Sequence, residues 1–272
     1  TALSELFHCF PASRYLVVLP QMPRPECGNI QGTRALYRKL GSRMKKIEVI
    51  QNILEANGTI ASRNQQLLDK HKVFALNIMS SPGAGKTSLI LQTIARLKNR
   101  LNIAVIEGDV ASTVDAERVQ NEATAVVQIN TRNMPESCSL IAAMIEPALK
   151  DLALDDIDLL LIENVGNLIC PSEFVLGEHR RLVISSLPEG DDKPIKYPMI
   201  FTDADAVIIN KVDLLPHVDF DIASFRHSIE GLNPRAKVFE LSCKTGEGIE
   251  KWCSWILEQL ETKAYKAIGA GE

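Results

Sequence analysis

Between residues 73 and 241 the chain alternates short apolar runs with stretches whose apolar residues recur every three or four positions. The runs are rich in β-branched residues, and most are apolar at consecutive positions, which is typical of strands covered on both faces of a parallel sheet. Strands that alternate with helices predict a doubly wound α/β fold with a mostly parallel sheet. The predicted strands are 73–79, 103–106, 126–129, 157–162, 182–184, 206–209 and 238–241.

The chain ahead of the first predicted strand has helical periodicity. Ile47, Ile50 and Leu54 lie three and four residues apart, and a second apolar stripe follows at 67–68. We predict a helical segment over 44–72 that Gly58 interrupts, because glycine weakens a helix interior. Further along, residues 187–205 contain Pro188, Pro194 and Pro198 and predict a long irregular stretch.

Residues 1–43 lack sustained periodicity and contain prolines at positions 11, 20, 23 and 25. The apolar run at 15–19 is too short for the apolar core of a secretory signal. We expect this segment to be disordered or a non-native extension, with Met44 as a plausible native start. The main domain is predicted over 73–265, followed by a tail at 266–272.

Composition narrows the class of protein further. With 272 residues and 46% apolar composition, the chain can bury the core of one domain with a small appendage. Its net charge of −4 gives no basic surplus for nucleic acid, and no apolar run approaches the roughly 20 residues that span a bilayer. The six cysteines are scattered without a Cys-x-x-Cys pair, so we expect reduced thiols in a cytoplasmic protein.

A candidate phosphate-binding loop follows the first predicted strand. Residues 80–88 read Ser-Ser-Pro-Gly-Ala-Gly-Lys-Thr-Ser and match the Walker A pattern, with Ser80 in place of its first glycine. In this pattern backbone N–H groups and a helix N-terminus bind phosphate, the lysine reaches the β- and γ-phosphates, and the threonine hydroxyl binds Mg²⁺. The predicted nucleotide-binding residues are Pro82, Gly83, Ala84, Gly85, Lys86, Thr87 and Ser88.

A second motif indicates that the base is guanine. The strand at 206–209 ends in Asn210-Lys211-Val212-Asp213, an Asn-Lys-x-Asp pattern. The Asp213 carboxylate can accept hydrogen bonds from guanine N1–H and N2–H₂, whereas adenine cannot donate that pair. Asn210 is expected to contact the N7 side and Lys211 to lie over the base. The pattern has no role in a small-molecule kinase, so we favour a GTP site over that class of enzyme.

A third motif follows the last predicted strand. Ser242, Cys243 and Lys244 are similar to the Ser-Ala-Lys loop that supports guanine O6 through a backbone N–H in GTPases. By itself the pattern is weak, but it follows the Asn-Lys-x-Asp motif in the expected order. We therefore add these three residues to the predicted base site.

Acidic residues at two other strand ends are candidates for the γ-phosphate and Mg²⁺ site. Glu163 opens a Glu-Asn-Val-Gly motif, in which the Gly166 N–H is expected to contact the γ-phosphate and Glu163 to hold Mg²⁺ through water. Asp109 follows the strand at 103–106 and is expected to bind Mg²⁺ or orient the nucleophile, with a helix cap or a solvated carboxylate as the alternative. We predict catalytic roles for Lys86, Asp109, Glu163 and Gly166. Turnover should be slow because no glutamine or cis arginine is placed to assist hydrolysis.

Further stretches narrow the family. Glu-Gly-Asp at 107–109, Asp-Ala-Glu-Arg at 115–118, Glu-Asn-Val-Gly-Asn-Leu at 163–168, Cys-Pro at 170–171, Glu-Gly-Asp-Asp-Lys-Pro at 189–194 and Lys-Tyr-Pro at 196–198 accompany the phosphate loop. Together they resemble the HypB family of hydrogenase nickel-incorporation GTPases over about residues 44–265. The related urease accessory protein UreG shares the P-loop class, but its Cys-Pro-His metal motif is not present in this sequence.

The resemblance implies a metal site at the interface of a GTP-dependent homodimer. In the family that site uses a Cys-His pair and the cysteine of the Glu-Asn-Val-Gly-Asn-Leu-x-Cys-Pro stretch, which Cys170 matches. Cys138 matches the pair only in part, because Ser139 replaces histidine and the preceding loop is longer. Two thiolates per subunit would suit Zn²⁺ or Ni²⁺, whereas the alternative for Cys138 is a buried cysteine at a helix start. Thr87, Asp109 and Glu163 are the predicted Mg²⁺ ligands.

The resemblance thus implies a GTP-hydrolysing metallochaperone that delivers nickel to a hydrogenase large-subunit precursor, alongside other nickel-maturation proteins. Its cofactors would be GTP, Mg²⁺ and either Ni²⁺ or Zn²⁺, with no nucleic acid or membrane partner. One alternative is a GTP-binding assembly scaffold with a degraded metal site, which the substitutions around Cys138 motivate. Another is a UreG-like GTPase of urease maturation.

Overall fold

The fold is built on one twisted parallel sheet. The computed structural model describes residues 49–108, 119–129 and 138–269, with side chains over 52–108, 119–129 and 138–262. Within these residues seven strands form a sheet in the order β3-β2-β4-β1-β5-β6-β7, and every neighbouring pair is parallel. The strands are β1 Phe74–Ser80, β2 Ile103–Glu107, β3 Ala125–Gln128, β4 Leu159–Glu163, β5 Arg180–Ser186, β6 Ala206–Asn210 and β7 Lys237–Glu240.

All seven strands coincide with predicted ones to within about two residues at each end, and the predicted α/β class is confirmed. β1, β2, β4 and β6 are buried at every position, as their continuous apolar runs indicated. The helices are α1 Val49–Lys70, α2 Lys86–Leu97, α3 Ala142–Asp151, α4 Cys170–Glu173, α5 Lys193–Lys196, α6 Pro198–Thr202, α7 Ile222–Leu232 and α8 Ile249–Gly269.

The predicted break at Gly58 is wrong, because α1 continues through it for 22 residues. Glycine costs a helix interior only about 1 kcal/mol, and tertiary contacts on both sides of Gly58 outweigh that cost. Asn57 donates to Val175 O at 2.7 Å, and Asn64 donates to Leu176 O at 2.9 Å. These side chains fasten both halves of α1 to the same segment of the main domain.

The long irregular stretch predicted at 187–205 is also wrong in part. A 3₁₀ turn spans Leu187–Glu189, and the short helices α5 and α6 follow. Proline occupies the first or second position of each, where its missing N–H group breaks no intrahelical hydrogen bond. Each proline therefore starts a short helix. At the other end of the chain, α8 extends to Gly269, beyond the predicted domain limit at residue 265.

Alternate side chains of β1 pack into different hydrophobic clusters. Leu76 and Ile78 join the cluster that contains residues of α2 and α8, whereas Ala75 joins the cluster with α3 and Leu68 of α1. This alternation is expected of a strand with helices on both faces. β1 is also the fourth of the seven strands in the described sheet and thus its central strand.

The P-loop helix α2 is anchored to α8 through aromatic packing. Trp252 and Trp255 stack with their ring centroids 5.3 Å apart. The buried Trp252 Nε1 donates a hydrogen bond to Thr93 Oγ1 on α2 at 3.0 Å. Among the described residues, no helix combines the length and apolar content required to cross a bilayer.

Candidate functional site

The phosphate loop lies at the carboxyl end of the central strand. β1 ends at Ser80, and α2 begins at Lys86 after a short loop. Gly83 and Gly85 have φ of 75° and 106°, values that residues with a Cβ rarely adopt. A Cβ at Gly85 would also collide with the side-chain amide of Asn210. Both glycines are therefore required by backbone conformation, as the Walker A pattern predicts.

Ser80, the residue that departs from the Walker A pattern, contacts the lysine for which a catalytic role is predicted. Lys86 is only 5% exposed, and its Nζ donates to Ser80 Oγ at 3.3 Å. The Ser80 hydroxyl in turn donates to Ser81 O at 2.7 Å. The serine thus orients the Lys86 ammonium group toward the loop. The sequence analysis did not predict this role, and its only signal in the sequence was a serine in place of the first glycine of the pattern.

The predicted Mg²⁺ ligands Thr87 and Glu163 meet beside the loop. Thr87 Oγ1 donates to Glu163 Oε1 at 2.9 Å, and Glu163 is 3% exposed at the end of β4. A hydroxyl and a carboxylate oxygen at this position fit the hard oxygen ligands that Mg²⁺ prefers. Asp109, the third predicted ligand, lies outside the described residues.

Gly166 touches the phosphate loop directly. A Cβ at Gly166 would come within 3.0 Å of Pro82 Cγ and 3.1 Å of Pro82 N. A larger residue would therefore push the turn at 163–166 away from the loop. This proximity supports the predicted role of Gly166 as the γ-phosphate sensor.

Asn210 connects the predicted base site to the phosphate site. Its Nδ2 donates to Ala84 O at 2.8 Å, and its Oδ1 accepts from Lys211 N at 2.7 Å and from Cys243 N at 3.3 Å. Lys211 Nζ also donates to Gly83 O at 2.7 Å. One side-chain amide therefore fixes the phosphate loop, the Asn-Lys-x-Asp motif and the Ser242–Lys244 segment relative to one another.

The carboxylate that is predicted to read guanine is held by the third motif. Ser242 Oγ donates to Asp213 Oδ1 at 2.6 Å and accepts from Thr245 N at 3.1 Å. A cavity of about 290 Å³ opens here. Its lining consists of Gly85, Ser88, Asn210, Lys211, Asp213, Leu214, Cys243 and Lys244. Residues from all three predicted motifs thus line one cavity.

Cys243 lies in this cavity as an unreactive thiol. Burial raises the pKa of the Cys243 thiol to about 12, although its hydrogen bond with Asn210 opposes the shift. The thiol stays protonated at neutral pH and acts as a small residue in the place of alanine. Burial likewise raises the pKa of Cys253, between α8 and the sheet, to about 11.

Cys138 and Cys170 form a disulfide, with their Cα atoms 6.1 Å apart. The expectation of separate reduced thiols is thus wrong for this pair, which lies 32 residues apart in sequence. Cys138 is exposed rather than buried at a helix start, since α3 begins only at Ala142. Ser139, at the family's histidine position, is buried. Over the described ranges, no group of three or more His, Cys, Asp or Glu side chains is arranged to hold a metal ion.

A phosphate loop on the central strand and an Asn-Lys-x-Asp motif that lines the same cavity define the class: this is a nucleotide-binding protein of the P-loop GTPase fold. The model of the CobW/HypB/UreG nucleotide-binding domain matches residues 74–240. Among individual relatives, the hydrogenase maturation factor HypB of Rhizobium leguminosarum is 45% identical over 215 residues, covering 79% of this chain and 71% of the relative. The chain belongs to the HypB family of hydrogenase maturation factors.

Other relatives and solved structures agree. HypB of Methanocaldococcus jannaschii is 45% identical over 222 residues, covering 82% of this chain and 97% of that protein. The crystal structure of HypB from Archaeoglobus fulgidus superposes with a TM-score of 0.71 at 43% identity, covering 76% of this chain and 99% of the other. HypB from Helicobacter pylori in complex with nickel gives the same TM-score at 38% identity, covering 76% of this chain and 96% of the other.

Proposed function

We propose that the chain is a slow GTPase that delivers nickel during [NiFe] hydrogenase maturation and forms a homodimer when GTP is bound. The observation that carries the proposal is the link between Asn210 and Ala84, which makes the base site and the phosphate site one cavity. Family membership supports the maturation role, and a relative was crystallised with nickel. Nickel is the cargo in this scheme, and GTP is the substrate.

Several side chains of the site would each contribute a separate function to GTP hydrolysis. Lys86, oriented by Ser80, would stabilise negative charge on the β- and γ-phosphates, and the α2 N-terminus adds its partial positive charge. Thr87 and Glu163 would hold Mg²⁺, which when bound neutralises phosphate oxygens. The Gly166 N–H would contact the γ-phosphate, so the turn at 163–166 would differ in position before and after hydrolysis.

GTP hydrolysis is tested with Lys86→Ala and a matched control on the same helix, Lys98→Ala. Lys98 caps the far end of α2 and is exposed, with Nζ 2.6 Å from Glu122 Oε2. We expect the rate of GTP hydrolysis to fall by at least about 1,000-fold in Lys86→Ala and to persist in Lys98→Ala. Both variants should remain folded at the assay temperature, which their melting temperatures check. Equal rates in the two variants would disprove the assignment of Lys86.

Metal delivery is tested by metal stoichiometry of the reduced protein with a non-hydrolysable GTP analogue. We expect Ni²⁺ or Zn²⁺ to bind through Cys170 and Cys138, with a preference for Zn²⁺ because Ser139 is not an imidazole. Cys170→Ser should lose the ion and weaken the dimer, whereas Cys253→Ala, a change at a cysteine buried in the hydrophobic core, should retain it. A wild-type dimer without any ion besides Mg²⁺ would contradict the proposal.

A GTP-binding assembly scaffold is the second candidate. It is favoured by the buried Ser139, which stands where the family resemblance implied a histidine ligand. Among the described residues, only Cys138 and Cys170 then remain of the three metal ligands that the resemblance implied. The same titration separates the two candidates, since a scaffold would dimerise with GTP and bind neither ion. One relative 40% identical to this chain, from Helicobacter pylori, is named a hydrogenase/urease maturation factor. A urease is therefore an alternative to a hydrogenase as the enzyme that would receive nickel from the same metallochaperone.

A further inference from the structure

A continuous series of buried polar side chains connects the segments that carry the two disulfide cysteines. We call it the polar chain; its members are Asn164, Asn77, Glu178 and Arg181, all at most 9% exposed. We propose that the polar chain is a positioning device that holds the two cysteine segments at a fixed separation and relays movement of the turn at 163–166 to them. The relay rests on the proposed function, whereas the positioning does not.

The first end of the polar chain holds the segment after Cys138. Asn164 Oδ1 accepts hydrogen bonds from Leu140 N at 3.0 Å and from Val165 N at 2.9 Å. Leu140 also packs against Gly108, where a Cβ would lie 2.6 Å from the leucine side chain. The Leu140 backbone, two residues beyond the cysteine, is therefore fixed by the Asn164 amide.

The other end holds α4, the helix that begins at Cys170. Arg181 Nη2 donates to Phe174 O at 2.8 Å and to Pro171 O at 3.4 Å, and Nη1 donates to Ser172 O at 3.4 Å. These carbonyls belong to α4 and to the residue that follows it. A helix of four residues has little stability of its own, so its position depends on tertiary contacts, and the guanidinium group supplies three of them.

The middle members join the two ends through hydrogen bonds that converge on the Glu178 carboxylate. Asn164 Nδ2 donates to Asn77 Oδ1 at 3.2 Å, and Asn77 Nδ2 donates to Glu178 Oε1 at 3.1 Å. Arg181 Nε donates to the same Glu178 oxygen at 2.8 Å. Each amide thus has its oxygen and its nitrogen engaged, which excludes flipped side chains. Because the ion pair is buried, loss of one partner leaves an uncompensated charge or unsatisfied donors.

The polar chain also meets the nucleotide site. Asn164 lies between Glu163, which accepts from Thr87, and the segment that leads to Gly166. Its own N–H donates to Ile78 O on β1 at 3.0 Å. A shift of this turn toward a γ-phosphate would therefore move the Asn164 carboxamide, and with it the hydrogen bond to Leu140.

The test measures the equilibrium between the Cys138–Cys170 disulfide and the dithiol in mixtures of reduced and oxidised glutathione. Each oxidised glutathione accepts two electrons and the two thiol protons and becomes two reduced glutathiones, while one S–S bond forms in the full-length protein. Acid quenching, alkylation and peptide mass spectrometry give the oxidised fraction of this pair separately from Cys243 and Cys253.

The informative variant is Arg181→Lys, which keeps the positive charge but cannot make the same set of hydrogen bonds. We expect the equilibrium constant for disulfide formation to fall by about tenfold or more, because hydrogen bonds to a charged group are lost. The matched control is Arg180→Lys, at the neighbouring residue of β5, whose Nε donates to Gln259. It should change the constant by less than about threefold. Equal constants in the two variants would overturn the positioning role.

A purely structural role for Arg181 would give a different pattern. It would lower the melting temperature of Arg181→Lys but leave the disulfide constant of the folded protein, measured well below that temperature, equal to that of Arg180→Lys. If Arg181→Lys does not fold, Glu178→Gln replaces it with the same expectation, since its amide nitrogen cannot accept as both carboxylate oxygens do. Glu178 accepts from Leu176 N as well as from Asn77 and Arg181.

The relay has its own readout. A non-hydrolysable GTP analogue should change the disulfide constant of the wild type by about fivefold or more, and Arg181→Lys should reduce that change. An equal change in both proteins would overturn the relay and leave the positioning intact. Failure of nickel binding would instead count against the proposed function, because this equilibrium requires no metal.

Discussion

At the scale of single residues, the guanine assignment depends on one carboxylate. Ser242 orients Asp213 toward the cavity that the base would occupy. We predict that Asp213→Asn lowers the preference for GTP over ATP by about 100-fold, because an amide cannot accept both guanine N–H groups. Competition binding with labelled nucleotides measures the ratio. The control is Asp219→Asn, an exposed aspartate further along the same segment, which should keep the wild-type ratio.

Cys243 provides a second prediction at this scale. Since burial raises its pKa to about 12, the fraction of thiolate near neutral pH is far smaller than in free cysteine. We expect iodoacetamide to alkylate Cys243 at least about 100-fold more slowly than free cysteine near neutral pH, with a rate that rises as the pH increases. GTP should slow the reaction further. Peptide mass spectrometry gives the rate, and a rate equal to that of free cysteine would refute the buried, protonated state.

At the scale of elements, a side chain of α1 caps the N-terminus of α3, which lies far along the sequence. Asn57 Oδ1 accepts from Ala142 N at 2.9 Å, the first residue of α3, while its Nδ2 donates to Val175 O. We predict that Asn57→Ala destabilises the protein by about 2 kcal/mol, because two buried backbone groups lose their partner. That corresponds to a loss of roughly 4–8 °C in melting temperature. Asn52→Ala, exposed on the same helix, should change it little, and equal losses would show that capping is not involved.

The strands could be predicted because a strand covered on both faces must be apolar at nearly every position. Such a run of apolar residues is visible in the sequence of the strand itself. The break at Gly58 was predicted wrongly because the contacts of Asn57 and Asn64 that sustain α1 come from distant residues. The nucleotide-binding motifs could be recognised in the sequence because phosphate and base binding require particular residue types at fixed spacings. Cys138 and Cys170 were predicted as ligands of one metal site, but their disulfide was not predicted, because it depends on how closely the fold brings two distant segments together.

At the scale of the whole molecule, the strand order gathers the site at one edge. β1 lies between β4 and β5, so Glu163 at the end of β4 is next to the phosphate loop, and Asn210 ends β6 two strands away. Ligands of open parallel sheets bind at this carboxyl edge. Every predicted nucleotide-binding residue within the described ranges lies at the end of a strand or in the segment that follows it.

A deletion tests how the chain is divided. We predict that removal of residues 1–43 leaves GTP affinity and melting temperature nearly unchanged, because the segment lacks periodic apolar residues. Removal of residues 1–70 should lower the melting temperature strongly, since it also removes the α1 contacts of Asn57, Asn64 and Leu68. Thermal unfolding followed by circular dichroism compares the two. A large loss in the first deletion would contradict the predicted boundary.

The stacked tryptophans of α8 have a spectroscopic consequence. They are the only two tryptophans in the chain, and Trp252 is hydrogen-bonded to Thr93 of the P-loop helix. Intrinsic fluorescence of the unlabelled protein therefore arises beside α2, within about two helical turns of Lys86. Emission excited at the indole band should therefore report any separation of α2 from α8 without an attached dye.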